Sequence, residues 1–467
     1  MPRVAKAKQD GGSTFTGFAT LNTGSAVYIG VPNANTGGST SQANESNFFS
    51  TAQALSPCTA AISVSAAPGA SKTWTGTLLY ETTGFGTTGT QNCADNIGNM
   101  ESATICTITG ATQKSCTGTF DAAIGANTCL QVKIAPTSTP GAATASVAVN
   151  CTDTNTPADG LANMSGGNTS GFTATHYAAS NSNTSAPAAA TFWADPLAYV
   201  ACQGRYSVDV APGTDADTGW DVQLQVSNAA LTTAQTCADA TYNTSATLCS
   251  VRNADQTCAF GMTNLATASV AATAGGCLRY KIVAAGSPAN SSGENWSLDC
   301  STDAAATYQS AGPFYTQALG GSASGTATYY LGNSLQTATN VETLYWENPS
   351  TLMGTCTGTL SHATATSGQT WTVTALYSTT GLNADTTKGC TDLTYSETGT
   401  LCSIATTKKS CSFAATSVPV PANGCFALKV AASGTMTATN LQVGLACEQS
   451  IPTPTVTATP TVTATAT

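Results

Sequence analysis

The stretch Ile62-Ser-Val-Ser-Ala-Ala-Pro-Gly-Ala-Ser-Lys-Thr-Trp74-Thr-Gly-Thr-Leu-Leu-Tyr80 reads as strand, turn, strand. The same outline returns at Tyr206-Ser-Val-Asp-Val-Ala-Pro-Gly, followed by Gly219-Trp220-Asp-Val-Gln-Leu-Gln-Val226. It returns once more at Leu360-Ser-His, followed by Gly368-Gln-Thr-Trp371-Thr-Val-Thr-Ala-Leu-Tyr377. In each copy the Trp opens a strand whose alternate residues are apolar, the signature of a sheet with one buried face. Trp74, Trp220 and Trp371 are therefore expected in three separate cores. An aromatic platform for stacking sugars is the rival reading of such residues.

The cysteines repeat with the same period. All 18 fall into three sets of six: Cys58, Cys93, Cys106, Cys116, Cys129 and Cys151; Cys202, Cys237, Cys249, Cys258, Cys277 and Cys300; Cys356, Cys390, Cys402, Cys411, Cys425 and Cys447. The gaps are 35, 13, 10, 13 and 22 in the first set, 35, 12, 9, 19 and 23 in the second, and 34, 12, 9, 14 and 22 in the third. A zinc site needs paired ligands a few residues apart, whereas no two of these cysteines are closer than nine residues. The two histidines, His176 and His362, stand at unrelated positions. Disulfides are the reading that fits, and with it an oxidising compartment. Six cysteines permit fifteen pairings per copy. The expected scheme is first to sixth, second to third and fourth to fifth: Cys58–Cys151, Cys93–Cys106 and Cys116–Cys129 in the first copy, and their counterparts in the others.

Other segments align with the cysteines. The third and fourth bound what reads as a tight hairpin, Cys106-Thr-Ile-Thr-Gly-Ala-Thr-Gln-Lys-Ser-Cys116 in the first copy. The fifth opens the clearest strand, Cys129-Leu-Gln-Val-Lys-Ile134, Cys277-Leu-Arg-Tyr-Lys-Ile282 and Cys425-Phe-Ala-Leu-Lys-Val430. Lys133, Lys281 and Lys429 read there as solvent-facing lysines that discourage edge pairing. Each copy holds about eight to ten short strands, which suits a two-sheet sandwich.

Only 8% of residues are charged, against about 25% in ordinary domains, and the sequence is rich in Thr, Ser, Ala, Gly and Asn. Abundant Thr and Val with little Leu, Lys and Glu favours strands over helices. No apolar run reaches the ~18 residues of a spanning helix, so no membrane span is expected. Net charge is −10 and the 14 basic residues are scattered, which argues against a nucleic-acid partner. The opening Pro2-Arg3-Val4-Ala5-Lys6-Ala7-Lys8 lacks the apolar run of a secretory signal.

The succession of strand, Ala-Pro-Gly turn, Trp strand, Cys-Thr-Ile-Thr-Gly segment, Leu-x-Val-x-Ile strand and Thr-Ser-Thr-Pro-Gly loop resembles a jelly-roll module of phage and bacterial surface and fibre proteins. The likeness is best from Ile62 to Val149 and reaches no catalytic motif. It implies a jelly-roll fold of the kind common in virion, fibre and surface assemblies, sometimes as trimers. The six cysteines per copy are not part of that pattern.

The expected organisation is an N-terminal arm at 1–12 and β-sandwich repeats at 13–152, 171–301 and 313–449, followed by a Thr/Pro-rich stalk or linker at 450–467. The stretches from Thr152 to Gly171 and from Ser301 to Gly312 read as linkers. The C-terminal Pro/Thr tract has no core pattern and resembles the spacers of secreted bacterial proteins. N-glycosylation sequons stand at Asn44, Asn150, Asn163, Asn168, Asn183, Asn243, Asn290 and Asn295.

Chemistry is harder to find. No G-x-S-x-G elbow, phosphate loop or dinucleotide loop is present, and neither histidine sits in a triad setting. Asp195, Asp209, Asp215, Asp217 and Asp221 cluster in the second copy. Asp195, Asp209, Asp217 and Asp221 would offer a carboxylate pair to a glycosidase and Asp215, Asp217 and Asp221 oxygens to a hard cation; otherwise they form a solvated acidic turn. The sequence therefore predicts no enzyme, no cofactor and no metal. It predicts an extracellular or virion structural protein, self-associating in a layer, filament or fibre. The competing readings are a virion decoration or fibre protein, and a glycan-binding adhesin in which Trp193 and Tyr199 line an exposed groove.

Overall fold

The computed structural model describes residues 12–449 except 31–38, 41, 43–47, 52–53, 85–87, 90, 96, 154–161, 169–171, 180–181, 185–192, 196–197, 233–234, 269, 291–292, 302–313, 334, 342–343, 349–352, 363–367 and 406–407. The expected arm and stalk lie outside the described residues, apart from Gly12.

The first repeat has eight main strands: Gly12–Leu21, Val27–Ile29, Leu55–Val64, Thr73–Tyr80, Glu101–Thr109, Ser115–Phe120, Thr128–Thr137 and Ala143–Asp153. Numbered in chain order, they form one sheet with strands in the order 1-8-3-6 and a second in the order 2-7-4-5. This is jelly-roll topology, in which consecutive strands pass back and forth between two facing sheets. The second repeat follows the same path through Ala162–Asn168, His176–Ala178, Ala201–Val208, Gly219–Ser227, Tyr242–Thr244 with Cys249–Arg252, Thr257–Asn264, Gly276–Ala285 and Glu294–Ser301. The third uses Phe314–Gly325, Thr328–Leu331, Met353–His362, Thr370–Ser378, Tyr395–Glu397 with Cys402–Ala405, Ser410–Ser417, Gly424–Ala432 and Met436–Gln449. Each repeat adds a short strand before the third, at Phe49–Thr51, Trp193–Asp195 and Trp346–Asn348, paired to the seventh.

Alternation along the strands builds the cores. In Thr73–Tyr80 the side chains of Trp74, Leu78 and Tyr80 face inward while Thr73, Thr75 and Thr77 face out. Trp74, Trp220 and Trp371 are all at most 1% exposed, each in the main core of its own repeat. None of the three indole N–H groups meets an acceptor among the described residues. The lysines Lys133, Lys281 and Lys429 lie half-buried on the seventh strand, which is interior to its sheet, so they guard no edge. Lys429 pairs with Glu397 at 2.8 Å and Lys133 lies 5.9 Å from the Tyr28 ring centre.

The disulfides run first to sixth, second to fifth and third to fourth. Cys58–Cys151, Cys202–Cys300 and Cys356–Cys447 join residues directly opposite on strands three and eight, with Cα atoms 4.0–4.1 Å apart. Cys93–Cys129, Cys237–Cys277 and Cys390–Cys425 tie the loop after strand four to the start of strand seven. Cys106–Cys116, Cys249–Cys258 and Cys402–Cys411 close the short connection from strand five to strand six. The expected second-to-third and fourth-to-fifth bonds are thus replaced. The reason lies in the topology: the expected hairpin is a corner, because strand five belongs to the second sheet and strand six to the first. The two cysteines of that corner face each other across the edge of the sandwich. Gly118 marks how close the strands pass there, since a Cβ at this position would lie 2.1 Å from the Ile105 carbonyl oxygen.

One expected boundary also moves. The stretch read as a linker from Thr152 to Gly171 contains the first strand of the second repeat, Ala162–Asn168, paired to Glu294–Ser301 from Ala162↔Cys300 to Asn168↔Glu294. Gly- and Asn-rich composition disguised it, because hydrogen bonding to strand eight supplies what side-chain propensity does not.

Two measurements follow from this architecture. Unfolding by denaturant under non-reducing conditions is expected to show a loss of about 3–5 kcal/mol for Trp371→Ala. Trp371→Phe should cost less than half of that, since no hydrogen bond leaves with the indole. Replacing both members of Cys58–Cys151 by Ala should destabilise the first repeat by about 1–2 kcal/mol more than the same change at Cys106–Cys116, because the first bond closes the longer loop.

Candidate functional site

Chemistry-bearing side chains are dispersed or enclosed. His176 and Glu294 are fully buried, with Nε2 and Oε2 3.1 Å apart, and the imidazole is stacked on Phe172 and edge-on to Trp220. The neighbouring Tyr206 hydroxyl is held well above its ordinary pKa, first by burial and then by the Glu294 carboxylate. Such a pair has no surface on which to meet a substrate. His362 is buried in the third strand of the third repeat, far along the chain from any equivalent of His176.

The acidic cluster separates on folding. Asp221 is engaged by Arg252 and by the Ser250 hydroxyl, while Asp215 and Asp217 are exposed in the turn after strand three of that repeat. Asp209 contributes its backbone carbonyl to the Gln256 side chain at 2.7 Å, and Asp195 lies on the added short strand with its side chain outside the described set. Among the described residues no three His, Cys, Asp or Glu side chains gather around one point.

The groove expected for Trp193 and Tyr199 is not there. Both are 1% exposed, and Trp193 packs edge-on against Tyr280 at 5.7 Å. The sheet-face aromatics Tyr177 and Tyr242 are taken up by Arg279, whose guanidinium lies 4.2 and 4.6 Å from their ring centres. Of the sequons, Asn295 is buried and donates to the Phe48 carbonyl, and Asn150 is buried too. Asn243 and Asn290 are exposed. Asn44 lies outside the described residues, as do the side chains of Asn163, Asn168 and Asn183.

What the fold does assemble is a set of three seams between repeats. Each begins at the Cys-x-Asp turn that opens the loop after strand four: Cys93-Ala-Asp95, Cys237-Ala-Asp239 and Cys390-Thr-Asp392. The Asp carboxylate accepts the backbone N–H three residues before it, from Asn92, Thr236 or Gly389, and so fixes the turn. The second-to-fifth disulfide anchors the same turn to strand seven. Held in this way, the turn of one repeat rests on the first sheet of another.

The third repeat docks on the first. Asp392 Oδ2 lies 2.8 Å from Lys114 Nζ, and the Thr386 carbonyl accepts the backbone N–H groups of Lys114 and Ser115. Ser63 Oγ approaches Cys390 Sγ at 3.6 Å, and Ser146 Oγ donates to the Tyr345 carbonyl at 3.0 Å. The second repeat docks on the third through equivalent positions, with Asp239 3.0 Å from Lys409 and the Thr232 carbonyl accepting the Ser410 hydroxyl at 3.1 Å. Ala446 of the third repeat joins the core of the second. The first repeat docks on the second: Asn92 Nδ2 donates to the Val208 carbonyl at 2.9 Å and Arg205 Nη1 points to Cys93 Sγ at 3.6 Å. Gln256 stands where the other two seams have lysine. There the short strand Thr88–Gly89 pairs with Thr257 and Cys258, adding a fifth strand to the sheet of the second repeat.

Three on one, one on two, and two on three is a closed cycle. Each contact is heterologous, one face against a different face, and a heterologous contact repeated by a threefold rotation closes a ring. The first strands Gly12–Leu21, Ala162–Asn168 and Phe314–Gly325 touch one another in all three pairs, which places them around the centre. The added short strand of each repeat touches the eighth strand of the repeat it docks on. The chain is thus a pseudo-trimer in a single polypeptide. The signal of these seams in the sequence is the recurrence of the Cys-x-Asp turn together with Lys-Ser-Cys at Lys114 and Lys409.

No family model matches the chain, and no curated protein matches it. Among solved structures, that of infectious bursal disease virus, Gx strain, is 12% identical, covering 63% of this chain and 70% of that one, with a TM-score of 0.20. The VP2 subviral particle of infectious bursal disease virus is 11% identical, covering 64% and 78%, with a TM-score of 0.18. Likeness at this level bears no weight for function.

The seam between the second and third repeats carries a pH dependence. Burial alone would raise the Asp239 pKa, but the Thr236 N–H and hydroxyl and the Lys409 ammonium outweigh it, so the folded value lies below 3.8. A carboxyl lowered on folding stabilises above its unfolded pKa and loses that contribution as the pH falls through the folded value. The protection factor for hydrogen exchange at the Thr236–Asp239 turn, the rate relative to that of the free peptide at the same pH, is therefore expected to hold steady above about pH 4 and to fall below it. Asp239→Asn should remove this dependence at a cost of about 0.5–1 kcal/mol, the scale of a partly exposed pair.

Proposed function

We propose that the chain is a non-catalytic structural protein that works outside the reducing cytosol, on a cell surface or in a virion, as a prebuilt block for a layer, filament or fibre. The observation that carries this reading is the ring itself: three jelly rolls joined by one repeated seam. Nine disulfides and no free cysteine among the described residues support an oxidising location, where resistance to unfolding and proteolysis is the working property. Burial of Trp193 and Tyr199 takes from the glycan-binding alternative the residues on which it rested.

Negative-stain electron microscopy of native, non-reduced material, with mass analysis of its thiols, tests this. Ordered layers, filaments or particles that carry the chain, with all eighteen cysteines oxidised, are the expected result. Dispersed single molecules at the native source, or abundant free thiols, would remove the reading.

A further inference from the structure

The three seams are equivalent in geometry but not in connectivity. Two of them join repeats that follow one another in the chain. The seam of the third repeat on the first joins the first and last of the three repeats, through residues 187 to 327 positions apart, and the whole of the second repeat lies between them. This seam alone closes the ring without a short tether.

It also differs in substance. The seam of the first repeat on the second includes a strand pairing, and that of the second on the third shares a core residue. In the closing seam the short strand Trp346–Asn348 again touches the eighth strand, and the directed contacts are the Lys114–Asp392 pair, two backbone bonds to the Thr386 carbonyl, and the Ser63, Ser146 and Asn333 side chains. Polar contacts of this kind form equally well with an identical face on another molecule.

We propose that the closing seam also forms between two copies of the chain, the third repeat of one seated on the first repeat of the next. A heterologous contact closes a ring when made within the chain and propagates when made between chains, so ring closure and polymerisation compete for the same two faces. Closure within one chain is unimolecular and exchange between chains is bimolecular, so dilute chains close on themselves. Chains crowded on a surface or particle pass into the open, propagating form. This rests on the structural reading above and deepens it, naming a second copy as the partner and the two faces it uses.

Complementation between two full-length variants tests it. Ser63→Arg blocks the face on the first repeat: Ser63 is fully buried against Cys390 Sγ, on the side of its strand that meets the third repeat. Asp392→Arg blocks the face on the third repeat by setting a second cation against Lys114. Each variant retains one good face and can neither close its ring nor propagate alone.

In sedimentation at about 100 µM each variant alone, with only one good face, should run as a monomer. An equal mixture should form a two-chain species at least tenfold more tightly than either variant self-associates. The doubly substituted chain, S63R with D392R, should stay monomeric alone and in any mixture. A mixture that remains monomeric, while both variants keep all nine disulfides by mass and a native circular dichroism spectrum, overturns the proposal. Association in the mixture without ordered assemblies at the native source would sustain seam exchange and remove the assembly reading. Native assemblies with a monomeric mixture would do the reverse.

Discussion

The disulfide from the second cysteine of each repeat to the fifth holds a loop that has no strand long enough to hold itself. In the second and third repeats that loop is little more than single turns of 3-10 helix and three-residue strands. Bonded to the start of strand seven, and with its Asp carboxylate capping its own backbone, the Cys-x-Asp turn becomes a fixed projection. The two ion pairs that join one repeat to another are placed from it, and the contacts with the eighth strand of the neighbouring repeat come from the short strand paired to the same strand seven. Were the turn mobile, ordering it at each seam would cost about 1–2 kcal/mol per residue, more than a partly exposed ion pair returns.

Much of this architecture was legible along the chain. Period-two alternation around Trp74, Trp220 and Trp371 located the cores, and the cysteine spacing located the copies, because both report local facts repeated three times. Failures came where the answer depends on which sheet a strand enters. Cys106 and Cys116 look like the two sides of a hairpin, yet their strands separate into different sheets, and the pairing of all inner cysteines changes with that one crossing. Ala162–Asn168 was missed because Gly166 and Gly167 carry no strand signal, and only the partner strand shows what they do. The seams are hard to read for a further reason: Asp392 and Lys114 are 278 residues apart, and only the recurrence of Cys-x-Asp and Lys-Ser-Cys hints that they meet.

The ring is symmetric in plan and uneven in detail. Lysine faces aspartate at two seams, while Gln256 replaces it at the third and a strand pairing of Thr88–Gly89 takes over. A chain of three copies is free to vary each seam separately, which three identical subunits cannot do. The buried His176–Glu294 pair and the Tyr177–Arg279–Tyr242 stack likewise belong to the second repeat alone. Such differences record how each copy has been fitted to its own place.

The bond from first to sixth cysteine has a mechanical meaning. It spans 93, 98 and 91 residues in the three repeats and joins strands three and eight at the point where each repeat hands the chain onward. A pull along the chain enters at the sixth cysteine and crosses the sulfur bridge to the first, bypassing everything between. Only the first two strands and the added short strand of each repeat lie on the taut path. The greater part of each sandwich carries no load, so a stretched molecule yields a short, fixed length at each repeat and then stops.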